Sequence, residues 1–249
     1  ITHPYIEKNI NYISFSIILL ILIIVRIQNP EFVKSISSIS FDSYQKIFKY
    51  NEKQDDIVIV DIDEPSLAKF GQFPWGRNVF SKILENINKE NPKSIGFDIF
   101  FSEKDKQSPE EIIKTYSIKD PDIKNALKSI KGHDEKFQKT LKETKSVLAV
   151  FGSLVPTKGT YNRKGKARIF AKGGNVKNYV YNYKYSLGSI PILEKNSKGL
   201  GSINYITQND AVVRSLPMIM VFNNKLFPSF GLEMIRVGEK KRSIITNLN

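Results

Sequence analysis

Carboxylates recur at the ends of apolar runs in this chain. Asp61 and Asp63 stand in Asp-Ile-Asp-Glu-Pro-Ser-Leu, and Asp98 stands in Gly-Phe-Asp-Ile-Phe-Phe-Ser-Glu, which closes on Glu103. Between them lies Phe73-Pro74-Trp75-Gly76-Arg77, and much later Asp210 and Arg214 bracket Ala211-Val212-Val213. Two chemistries suit such a set. Oxygen ligands take a divalent cation, for which Asp61, Asp63 and Asp98 are the candidates, and a carboxylate beside Arg77 makes a charge-assisted pair. The ligand-binding candidates are therefore Asp61, Asp63, Trp75, Arg77, Asp98, Glu103, Asp210 and Arg214. The plainer alternative is structural, because an Asp at a strand end also caps the next helix or accepts backbone N–H groups. Catalysis is not indicated: no nucleophile–base pair and no phosphate-cradling Gly loop accompanies the carboxylates. No cofactor is indicated beyond that cation.

The elements that must position these residues follow from periodicity. Ile57 to Ile62 is a β-branched run of the kind expected in a strand buried on both faces. Val79, Phe80, Ile83, Leu84 and Ile87 recur at helical spacing, and Asn91-Pro92 stops that helix. Ser94 to Phe101 predicts a second strand, so 57–101 reads as one right-handed β-α-β unit with parallel strands. Both strands then end on one edge, where α/β folds place ligands. A second helical region is expected over 121–144, broken at Gly132, with a third strand over 147–151. Leu200 to Ile206 and Val212 to Phe222 read as strands, Asn223-Asn224 as a turn and Phe230 to Val237 as a short helix. The expected class is α/β: a mixed, partly parallel sheet flanked by helices, preceded by one N-terminal transmembrane helix.

That transmembrane reading rests on Ile10 to Val25, an uncharged Ile/Leu run extended by Arg26 and Ile27. It is slightly short of the ~20 residues needed to span hydrocarbon, but Tyr12 suits one interface and Arg26 can snorkel at the other. No small-residue cleavage site follows it, so a retained anchor is expected rather than a signal peptide. The flanking charges do not fix its orientation. The expected organisation is a flank over 1–9, the transmembrane helix over 10–27 and a Ser-rich connector over 28–50. The main domain follows, with a polar, Tyr-rich excursion exposed over 157–185. The chain holds no Cys and two His, which excludes disulfides and Cys- or His-rich metal sites. Its formal charge of +13 suits a polyanionic neighbour, although the lysines are scattered and a general Lys/Asn/Ile bias explains them without one.

Taken together, the strand into Asp61-Ile62-Asp63-Glu64-Pro65-Ser66-Leu67, then Gly71, Phe73-Pro74-Trp75-Gly76-Arg77, the helix and Phe97-Asp98-Ile99-Phe100-Phe101-Ser102-Glu103 resemble the core of CHASE2 domains. Gly201-Ser202-Ile203-Asn204, Asp210-Ala211-Val212-Val213-Arg214 and Phe227-Pro228-Ser229-Phe230 resemble that family's later block, with Ala211 where Gly is usual. If position 211 needs a positive φ, Ala is strained there. The resemblance covers roughly 40–240, with 104–146 and 157–185 poorly matched. It implies a CHASE2-like domain over 51–242 that is incomplete at its C-terminus, with 243–249 starting a continuation. It also implies a bacterial inner-membrane protein whose main domain is periplasmic and receives a signal. In such proteins further transmembrane helices lead to a cytoplasmic cyclase or kinase. The chain opens on Ile1 rather than Met, so a processed or truncated chain is expected, whose remainder is either removed or lost. The expected partners are the membrane, other protein subunits or a second copy, and an unknown small molecule. A scaffold subunit of an envelope assembly is the alternative function. Nucleic acid is not expected: Tyr179, Tyr181, Tyr183 and Tyr185 alternate near Lys177 and Lys184 as a base-stacking strand would, but an export-type anchor argues against it.

Overall fold

The computed structural model describes residues 4–48, 56–157, 160–207 and 210–247. It divides into two compact units, Ile1–Asp61 and Ile62–Asn249. The first holds α1 (Pro4–Gln28) and α2 (Glu31–Ile47). Asn29, at φ 43°, and Pro30 break the helix between them, and the two helices are bent by 82°. The expected connector is therefore largely helical. Its serines do not unwind it because Ser35, Ser40 and Ser43 each donate to the carbonyl four residues back, which occupies their hydroxyls inside the helix. From Tyr12 onward α1 is apolar and exposed nearly all round. By length and composition no single helix among the described residues qualifies as a membrane span, whereas α1 from Tyr12 and α2 qualify as a bent pair.

The run Ile57 to Ile62 forms no strand. Its β-branched side chains fit a pleated, half-buried surface, but no strand pairs with it among the described residues, and Ile57 to Val60 are 64% to 87% exposed.

In the second unit α3 (Glu64–Phe70) and α4 (Arg77–Lys89) precede β1 (Ile95–Phe97). Then come α5 (Pro109–Thr115), α6 (Pro121–Ser129), α7 (His133–Glu143) and β2 (Ser146–Ser153), the helical region breaking at Gly132 as its sequence predicts. The 157–185 segment carries β3 (Arg168–Lys172), a 3-10 turn and β4 (Asn182–Tyr183), and is followed by β5 (Tyr185–Leu187). It is not wholly exposed, since Arg163 and Val176 are buried. Last come α8 (Pro191–Asn196), β6 (Gly199–Ser202), β7 (Ile219–Phe222), β8 (Lys225–Pro228), α9 (Phe230–Gly238) and β9 (Ser243–Asn247).

β2 is the central strand. It pairs in parallel with β1 and β6 and, at its far end, antiparallel with β5. Val147 to Val150 have no exposed surface, as a strand covered on both faces requires. Phe80 and Leu84 of α4 and Phe137 and Leu141 of α7 cluster with Phe97, Leu148 and Val150. On the other face α9 lies so close to β6 that a Cβ at Gly201 would stand 2.5 Å from the Phe230 Cα, and only glycine fits. β7 and β8 form a hairpin closed by Asn223 and Asn224, both at positive φ, the turn that matches strand twist. Val212 to Met218, expected as strand, has none.

Candidate functional site

α4 begins at Arg77 without a capping side chain, because its N-cap is Gly76. The missing acceptor comes from the loop after β1. Asp105, 4% exposed, takes the Arg77 N–H at 2.7 Å, its own loop's Gln107 N–H at 2.9 Å, and lies 2.9 Å from His133 Nδ1 at the start of α7. A Cβ at position 76 would stand 2.8 Å from the flexible end of the Gln107 side chain.

The Arg77 side chain is buried over the Phe101 ring, 4.6 Å from its centroid, and donates to the Glu103 carbonyl at 3.2 Å. Its Nε faces Asp134 Oδ1 at 3.7 Å, beyond hydrogen-bond reach, and neither atom has a hydrogen-bond partner among the described residues. Asp134 Oδ2 does accept the Asp105 N–H at 3.0 Å. Burial lowers the Arg77 pKa and raises that of Asp134, outweighing the attraction between them. One cation, two carboxylates and an imidazole thus meet where β1, α4 and α7 come together. Such a cluster can bind and orient a polar or charged group.

The residues singled out in the sequence take different local roles. Asp61 lies in the first unit. Asp63 caps α3, taking the Ser66 hydroxyl and N–H, and those hydrogen bonds lower its pKa. Asp98 is exposed just past β1. Trp75 is buried and donates to the Gly71 carbonyl at 2.6 Å, a carbonyl presented by the Gly71 φ of 85°. The Phe73–Pro74 peptide before it is cis. Glu103 contributes its carbonyl to Arg77, while its carboxylate reaches Lys106 at 3.6 Å. Among the described residues no group of His, Asp and Glu has the arrangement of a metal site.

Asp105, His133 and Asp134 were not singled out from sequence. The available signal was weak: one of two His, followed by acids in the first turn of a helix after Gly132. The alternating tyrosines also do not form one face. β4 pairs with β7 and β5 with β2, and Tyr183 packs on Phe222 at 5.8 Å.

The later motif block is tied together by its own hydrogen bonds. Asn204 is buried and clasps Gly152 through both its backbone groups, at 2.7 and 2.9 Å. Arg214 grips Asp210 with bonds of 3.0 and 2.6 Å, which holds the exposed carboxylate down at about 2. Ala211 between them has φ 60°.

A family model of the CHASE2 domain matches residues 17–248. The chain belongs to the CHASE2 family. CHASE2 domains are extracytoplasmic sensory domains, and the match embraces both the Arg77 cluster and the Asp210–Arg214 turn. No curated protein and no solved structure matches the chain.

Proposed function

We propose that this chain is the membrane-anchored, periplasmic receiving part of a bacterial transmembrane signalling protein, and that it carries out no catalysis itself. A ligand or partner shifts the populations of two conformations, by no more than its differential affinity for them. The receiving region is the Arg77 cluster, with Trp75 two residues before Arg77 and Glu103 bonded to it through its carbonyl. One observation carries this choice: Arg77 Nε and Asp134 Oδ1 are buried, face each other at 3.7 Å and have no hydrogen-bond partner among the described residues. Most buried polar atoms are paired. An incompletely matched pair at the junction of three elements is where a small added interaction moves a balance. The anchor is supported by the apolar surface of α1, uncovered on nearly every side from Tyr12 onward, a pattern suited to hydrocarbon.

The absence of cysteine makes the location directly testable. Lys104 is exposed, so Lys104→Cys carries a single thiol on the domain. A membrane-impermeant maleimide added to intact cells with a permeabilised outer membrane labels that thiol if the domain is periplasmic. Labelling only after lysis of the inner membrane contradicts the proposal.

A further inference from the structure

β3 and β9 form a two-stranded parallel sheet of their own, and no further strand pairs with either among the described residues. Parallel strands normally sit inside larger, covered sheets, and a two-stranded sheet is marginal alone. On β3, exposed Arg168, Phe170 and Lys172 alternate with half-buried Ile169 and Ala171. Phe170 pairs across with Ile245, and the two are 54% and 63% exposed. The outward face is thus an apolar pair flanked by cations. Over 164–172 and 240–247 there are seven Lys or Arg and no Asp or Glu. The whole chain has 38 against 25, and on β3 itself Arg168 and Lys172 flank Phe170 with no acid between them.

The ladder fixes which backbone groups are open. The Arg168 N–H donates to the Arg242 carbonyl at 3.3 Å. Alternate residues of a parallel strand serve opposite neighbours, so the N–H and C=O of Ile169 and Ala171 face the outer edge.

We propose that the outer edge of β3 takes an extended, acidic segment of a partner protein as a third strand. Such a segment bonds to Ile169 and Ala171 through its backbone, places alternate carboxylates by Arg168 and Lys172, and covers Phe170. A lipid surface would use the charges and the ring but leave the edge amides unused. The inference is independent of the Arg77 cluster.

The test uses the full chain in a neutral detergent, with a short peptide alternating Glu and Val, its Lys counterpart, and phosphatidylglycerol vesicles as probes. Hydrogen exchange is read at β3. The acidic peptide is expected to bind saturably and slow exchange at the Ile169 and Ala171 amides, whereas the Lys peptide does not. Arg168→Glu with Lys172→Glu should weaken binding about tenfold or more, each reversal being an exposed pair lost. Ala171→Pro removes an outer-edge N–H, which an edge strand tolerates, and should abolish the protection while exchange in β2 stays slow. Equal binding of both peptides, protection elsewhere, or vesicle binding without peptide binding overturns the proposal.

Discussion

Asp105→Ala should destabilise the domain by ~3 kcal/mol. The carboxylate is 4% exposed and is an acceptor for the buried Arg77 N–H at 2.7 Å, for Gln107 N–H at 2.9 Å and, at 2.9 Å, for His133 Nδ1. A hydrogen bond to a charged group contributes ~1.5–3 kcal/mol, and a buried donor left without a partner costs ~1–3 kcal/mol. Loss of an N-cap alone costs ~1 kcal/mol. These overlap on the Arg77 N–H, so they do not add in full. The result is a substantial part of the ~5–15 kcal/mol of a typical domain. Trp75, the chain's one Trp, is buried two residues from Arg77 and serves as the fluorescence reporter of urea unfolding. Asp105→Asn keeps the shape and one acceptor and should lose about half as much. If Asp105→Ala unfolds within ~0.5 kcal/mol of the parent, the range of an ordinary surface change, Asp105 does not hold α4 to the loop.

Ala211 sits at φ 60°, a conformation that costs a residue with a Cβ ~1–2 kcal/mol. Ala211→Gly should therefore stabilise by up to ~1 kcal/mol after the extra chain entropy of glycine is offset, read as a higher urea midpoint. Asp134 provides a pH dependence. Burial raises its folded pKa, so the folded state binds the proton more tightly than the unfolded one, and stability falls as pH rises from about 4, the unfolded value, through the folded value. Asp134→Asn removes that term: the stability of the parent relative to the variant should decline with rising pH across this window, and parallel profiles would refute it. Phe137 is fully buried, with Phe97 and Phe101 5.7 and 5.1 Å away. Phe137→Ala should cost ~3–5 kcal/mol, measured as a lower thermal midpoint.

The sequence conveyed elements whose pattern is local. The helix at 77–89, the break at Gly132, the buried run of β2 and the Asn223-Asn224 turn all follow from short-range periodicity or backbone preference. It misled where a strand depends on a neighbour. Ile57 to Ile62 has the composition of a covered strand, but composition cannot supply the partner, and the same holds for Val212 to Met218. The candidate site was legible only in part. Arg77 and Trp75 stand in a recognisable motif, whereas Asp105 and Asp134 reach Arg77 across 28 and 57 residues of chain, a juxtaposition that no spacing rule encodes. Asp63 illustrates the converse, since a motif carboxylate at a helix start is occupied by its own cap.

The central claim, reception at the Arg77 cluster, is most directly tested by joining the chain to a cytoplasmic cyclase and measuring cyclic nucleotide in cells across growth conditions. The decisive variant is Arg77→Lys, which keeps the charge but loses the planar fork that reaches the Glu103 carbonyl and faces Asp134. Its folding is checked by the Trp75 unfolding curve. The expected result is a folded, exported variant whose output no longer changes with conditions as the parent's does. A variant that folds and responds like the parent would contradict it.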